Sequence, residues 1–164
     1  MTPYPELRQN PFRDPNAPQS RAQSTRLAGD RVSILFDELR AQLGKIEALQ
    51  EELYFGGVEW GWVPRYRLDD RVLFTAHIFA GALEAKLSLE DPLRETFLAS
   101  PRVATRIKDA IRRAPLVGGI TVMRVHLSNL SAVRSFANLV KLKSRFLNLP
   151  EKSAPLGKPT LPPL

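Results

Sequence analysis

Cysteine is absent from this 164-residue chain, and histidine occurs only twice. The first absence excludes a disulfide framework, a thiolate nucleophile and any Cys-based metal site, and makes a reducing, cytoplasmic setting the natural expectation. The second leaves one plausible base for a catalytic triad and no pair at metal-ligand spacing. No metal or other cofactor is therefore implied. Long apolar runs are also missing. Nothing approaches the roughly 18 residues of a membrane span, and residues 1–30 hold no apolar stretch of the secretion-signal kind, so neither insertion nor export is expected.

Proline is abundant but confined. Pro3, Pro5, Pro11, Pro15 and Pro18 fall in residues 1–29, and Pro150, Pro155, Pro159, Pro162 and Pro163 in residues 149–164. Both ends are poor in large apolar residues and read as disordered extensions around a single domain over residues 30–148. Pro15 and Pro18 make a PxxP spacing of the kind SH3 grooves accept, a match that is common by chance.

The net charge of +7 is unevenly placed. Residues 31–100 carry 8 Lys/Arg against 12 Asp/Glu, whereas residues 101–148 carry 10 against 1. A basic half attracts polyanions, so nucleic acid or an acidic protein surface becomes a candidate partner. The plain alternative is that these cations coat the solvated sides of helices.

Periodicity organises the middle. Val32, Leu35, Phe36, Leu39, Leu43, Ile46 and Leu53 recur at helical spacing and predict a helix over about 31–54, capped by Asp30, with Gly44 as a kink or break. Glu47, Glu51 and Glu52 would then sit at its C-terminal end, where the helix dipole disfavours them and basic neighbours are expected. From Val58 to Leu68 the even positions are apolar or aromatic and the odd ones mostly polar, which predicts a half-buried strand. Strands over 72–79 and 83–89 follow, the latter with inverted parity.

Matching apolar faces fixes the loops. A two-residue loop at Ala80-Gly81 opposes Ile78 to Leu83. A three-residue loop at Asp69–Arg71, or a bulge, is needed to oppose Leu68 to Val72. Pro64 marks an edge strand or a bulge. Asp91-Pro92 and Ser100-Pro101 predict helices over about 92–99 and 101–113, the second burying Val103, Ile107, Ala110 and Ile111. A fourth strand over 120–126 and a last helix capped by Ser128, with Leu130, Val133, Ala137 and Val140 inward, complete the chain. The expected fold is α+β: one twisted antiparallel sheet of about four strands with helices on one face, in the order helix, three strands, two helices, strand, helix.

The run EWGWVPRYRLDDRVLFTAHIFAGALEAKLSL, with the later AIRRAP and NLVKLKSRF, resembles an uncharacterised bacterial domain family similar in architecture to YdhG/YjbR-type small α+β domains. The resemblance spans about residues 35–146. It implies a twisted antiparallel sheet backed by helices, and its motifs are structural rather than catalytic. Relatives of that architecture have been likened to "double wing" DNA-contacting domains, which implies nucleic acid only by analogy.

Candidate site residues come from the same registers. Val63, His77 and Glu84 fall in one cross-strand row and Arg65, Thr75 and Lys86 in the next, with Arg67 on the same face. The patch Arg65, Arg67, Thr75, His77, Glu84 and Lys86 could hold an anionic ligand, and His77 beside Glu84 could serve acid/base chemistry. The plain reading is a solvated sheet face with ordinary charge pairs. Trp60 and Trp62 interleave with arginines in the manner of base-stacking strips, yet their parity sides them with the core. Gly118-Gly119 reads as a turn.

Arg102, Arg106, Lys108, Arg112, Arg113, Lys141, Lys143 and Arg145 form the candidate nucleic-acid surface. Three readings follow: a non-catalytic binding or interaction module, a nucleic-acid-binding accessory domain, and a small enzyme on an anionic substrate. The sheet face could also pair two copies of the chain.

Overall fold

In the computed structural model, residues 28–57 and 60–148 are described, together with Asn16 and Arg26. The expected extensions at 1–29 and 149–164 otherwise lie outside the described residues, as do Val58 and Glu59 of the first expected strand. The elements with described bounds are α1 (Asp30–Leu43), β1 (Gln50–Phe55), β2 (Trp62–Leu68), β3 (Arg71–Phe79), β4 (Ala82–Leu89), α2 (Asp91–Ala99), α3 (Thr105–Arg113), β5 (Leu116–Val117), β6 (Ile120–His126) and α4 (Leu130–Asn148). The fold is α+β, and the sheet is antiparallel throughout with strand order β1-β2-β3-β4-β6-β5. Its strands number six among the described residues, not four.

The first correction concerns the long helix. It ends at Leu43 with Gly44 as C-cap, the chain turns through Ala48 at φ 65°, and the last part of the expected helix becomes strand β1. Gly29 rather than Asp30 is the N-cap, leaving Asp30 in the first turn where its charge favours the dipole. The basic neighbours expected are present for Glu51 and Glu52, now on a strand: Arg40 lies 3.1 Å from Glu51, and Arg65 and Arg67 lie 2.5 and 3.4 Å from Glu52. Because β1 covers β2, Pro64 is internal, paired with Leu53, and β2 begins its ladder to β3 one residue later at Arg65↔Thr75. A residue without an N–H is tolerated where no bond to the neighbouring strand is required.

The β2–β3 connection takes the expected bulge but not the expected three-residue loop. The loop is two residues, Asp69-Asp70, so Leu68 opposes Arg71, not Val72. The register then shifts, with Arg67↔Val72 followed by Tyr66↔Phe74, so Leu73 is the extra residue of a bulge. This places Leu73 and Phe74 both in the core and leaves Val72, expected inside, 42% exposed. Beyond the bulge the matched faces hold. Ile78 opposes Leu83 across the Ala80-Gly81 turn, and Leu83, Ala85, Leu87 and Leu89 are buried.

Helix α3 starts at Thr105, not 101, because the Ser100 hydroxyl accepts the Arg102 N–H at 3.1 Å and holds a separate turn. Asn129, not Ser128, caps α4, its side chain accepting the Ala132 N–H at 2.8 Å, and Leu130 is exposed. Glu90, rather than Asp91, is the N-cap of α2. Gly118 and Gly119, both at positive φ, make the tight turn that adds β5 to β6.

Buried residues of the four helices with described bounds join one face of the sheet in a single cluster. Phe36 and Leu39 of α1, Phe97 of α2, Ile107 and Ile111 of α3 and Phe136 and Val140 of α4 meet Tyr66, Phe74, Ala85, Leu87 and Met123. Tyr66 stacks on Phe74 at 4.6 Å, and Phe136 meets Phe74 edge-on at 5.0 Å. No helix among the described residues is long and apolar enough to cross a membrane.

Candidate functional site

The opposite face of the sheet carries the polar residues, and register places them in rows. Glu52, Arg65, Thr75, Lys86 and Arg124 follow one another across β1, β2, β3, β4 and β6. His77, Glu84 and His126 form a second row on β3, β4 and β6. The expected juxtaposition of Arg65, Thr75 and Lys86, and of His77 with Glu84, is therefore present.

The face is not a flat solvated plane. Tyr54, Trp60, Arg65, Thr75, His77 and Lys86 are among the residues around an open concavity of about 380 Å³. Arg67 and Glu84 do not line it. Arg67 is held by Glu52, while Glu84 is 7% exposed and lies 3.7 Å from the Arg124 guanidinium.

Trp60 creates the wall, in a position its parity did not indicate. The β1–β2 connection closes through Gly56 N–H to the Gly61 carbonyl at 2.8 Å and Gly61 N–H to the Gly57 carbonyl at 2.7 Å. Gly57 and Gly61 both have positive φ, so the alternation restarts at Trp62. Trp60 turns onto the polar face instead of the core, edge-on to His77 at 4.8 Å and near Phe79 and Ala82. Trp62 keeps the face of Tyr66, half-buried against Phe55 at 5.5 Å.

Two ring–guanidinium contacts frame the concavity. Arg65 lies over the Tyr54 ring at 4.1 Å, and Arg124 over the Trp60 ring at 4.8 Å. Each is a cation held on an aromatic face. Between them, Lys86 has no carboxylate partner among the described residues.

His77 forms the floor. Its Nε2 is 3.1 Å from the Thr75 hydroxyl, while Nδ1 is buried without a hydrogen-bond partner among the described residues. Burial, then the charges of Arg124 and Lys86, push its pKa down to about 4. The ring is neutral at pH 7, with one nitrogen a donor and the other an acceptor. At that pKa it is a weak base, and the Glu84 carboxylate lies 3.7 Å from Arg124.

The basic set on the later helices does not form one exposed surface. Arg102, Arg106, Arg112, Arg113 and Arg145 are exposed, but Arg112 is 3.1 Å from Asp109. Lys108 and Lys141 are half-buried, and Lys141 donates to Gln42 at 3.1 Å. Lys143, expected to point outward, is buried at 5% exposure. Its ammonium donates to the Leu73 carbonyl at 2.9 Å, Ser88 at 3.1 Å and Val72 at 3.5 Å. These carbonyls lie beside the bulge at Leu73 and beyond the last β3–β4 pair, Thr75↔Lys86, where Lys143 supplies donors.

Two residues lining the concavity, and Arg124 that lies over one of them, escaped sequence reasoning. Tyr54 was placed in a helix, Trp60 in the core, and Arg124 had no assigned neighbour because β4 and β6 are separated in sequence by α2, α3 and β5. The alternation of β6 was the available signal: Arg124 and His126 share a polar parity opposite Met123 and Val125.

The fold and the site together define an α+β protein with a helix-covered face and an aromatic, cation-lined open face. Compared with known proteins, the chain matches no family model, no curated protein and no solved structure.

Proposed function

We propose that the protein is a binding module whose open sheet face takes an anionic ligand, with Lys86 as the central contact. Lys86 is the observation that carries this reading: a cation without a carboxylate partner among the described residues, in a concavity of about 380 Å³. Trp60 and Tyr54 give the ligand apolar walls, and Arg65 and Arg124 add positive potential on either side. Sites of this kind combine apolar enclosure with a few placed polar groups. Acid/base catalysis by His77 and Glu84 gains no support from a neutral, weakly basic imidazole and a carboxylate facing Arg124.

The test uses a Trp62→Phe background, which leaves Trp60 as the only tryptophan, and titrates phosphate, pyrophosphate and a mononucleotide at low ionic strength. Saturable change in Trp60 emission, lost in Lys86→Gln, is expected. No response to any anion, or an unchanged response in Lys86→Gln, contradicts the reading.

A further inference from the structure

The concavity does not end at Lys86. On its other side a second depression of about 360 Å³ shares Lys86 and is lined by Arg113, Val117, Val122 and Arg124. The two form a path that runs across the strands rather than a compact hole. Adjacent strands are about 4.8 Å apart, so Arg65 on β2, Lys86 on β4 and Arg124 on β6 succeed one another at about 10 and 5 Å along that path. Arg113 at the end of α3 extends the line. Two carboxylates, Glu52 and Glu84, face these cations, so the path is net positive.

Rings lie beside the charges. Tyr54 is 41% exposed with Arg65 over it, and Trp60 carries Arg124. A guanidinium held on an aromatic ring presents a planar cation, a surface on which bases stack, and sheet faces with aromatics are used in this way by single-strand readers.

We propose that the ligand of the open face is a single-stranded nucleic acid laid across the strands, with phosphates at Lys86 and Arg124 and bases against the Tyr54–Arg65 and Trp60–Arg124 pairs. This rests on reading the face as an anion site and assigns that anion to a linear, base-bearing polymer. The basic residues of α3 and α4 are secondary, apart from Arg113.

The test is fluorescence anisotropy of labelled oligothymidylates of increasing length with the full chain, alongside a duplex, a polyphosphate of matched charge and the mononucleotide. Affinity is expected to climb with length and level off within about 4–16 nucleotides, the usual size of a single-strand groove. It should fall steeply with salt. Lys86→Gln should weaken oligonucleotide binding about tenfold and reduce the salt slope by about one, while Arg106→Gln on α3 leaves it nearly unchanged. Tyr54→Leu, at an exposed edge position, should cost roughly 5- to 160-fold, the range for one base stack.

Equal affinity for polyphosphate or duplex would overturn the proposal, as would loss of binding in Arg106→Gln but not Lys86→Gln. Oligonucleotides that bind no better than the mononucleotide, with Trp60 still responding, would defeat the single-strand inference and leave the anion site standing. Silence of Trp60 toward every anion would defeat both.

Discussion

Lys143 shows how one residue can hold an irregular piece of sheet. Its ammonium reaches the strand plane from α4 and gives donors to the carbonyls of Leu73, the bulged residue, and of Ser88, beyond the last β3–β4 pair. Lys143→Met is expected to lower stability by about 1–3 kcal/mol, the scale of leaving buried acceptors unpaired. Burial pushes the pKa of Lys143 down to about 8 from 10.5, with Glu90 opposing the fall. Between those values the unfolded chain holds more protons than the folded one, so this residue's contribution to stability rises with pH. Urea unfolding at pH 7.5 and 9.5 should therefore show the gap between wild type and Lys143→Met widening at the higher pH. A gap that stays constant would mean the ammonium is not buried as described.

His77 behaves in the same sense at lower pH. With a folded pKa of about 4 against 6.5, the unfolded state binds the extra proton as pH falls through that window. Wild type should lose up to about 3 kcal/mol between pH 6.5 and 4 through this group alone, at 1.36 kcal/mol per pKa unit. The His77→Gln variant should show a flatter pH profile in the same unfolding measurement.

Among the elements, the sheet is ordered by pairing and the helices by what they bury. Phe136 fixes α4 through its edge-on contact with Phe74, and neither ring is exposed to more than a trace. Phe136→Ala should cost about 3–5 kcal/mol in chemical unfolding, as for other large core truncations. At the β5–β6 turn, Gly119 sits at φ 81°, so Gly119→Val should cost about 1–2 kcal/mol through left-handed strain, measurable as a lower melting temperature.

These elements also show what was legible in the sequence. Parity alone gave the Ile78↔Leu83 register and the buried side of β4, because an apolar face cannot be moved into water without penalty. It failed where backbone geometry resets the count. Gly57 and Gly61 turn Trp60 onto the polar face, and the bulge expels Val72 while admitting Leu73 beside Phe74. Gln50–Phe55 has apolar residues that continue a helical stripe, but Gly44 and a left-handed Ala48 break the helix first. Arg65, Thr75, His77 and Lys86 were found because they share a local meander, whereas Arg124 enters through the non-local β4–β6 pairing.

At the scale of the whole molecule, the charge split takes on a different meaning. The basic segment 101–148 does not coat one side: Lys143 is consumed by the sheet, Arg112 and Lys141 by neighbouring side chains, and Arg124 joins the open face. The open face thus draws cations from both the acidic and the basic halves of the chain. One face of the sheet is sealed by α1 to α4, and the other presents the aromatic concavity centred on Lys86. The most direct test is amide and indole chemical-shift mapping by NMR during titration with pyrophosphate at low ionic strength. Shifts are expected to concentrate at Thr75, His77, Lys86, Arg124 and the Trp60 indole, and to be absent in Lys86→Gln. Shifts confined to Arg102, Arg106 and Arg145, or none at all, would contradict a site centred on Lys86.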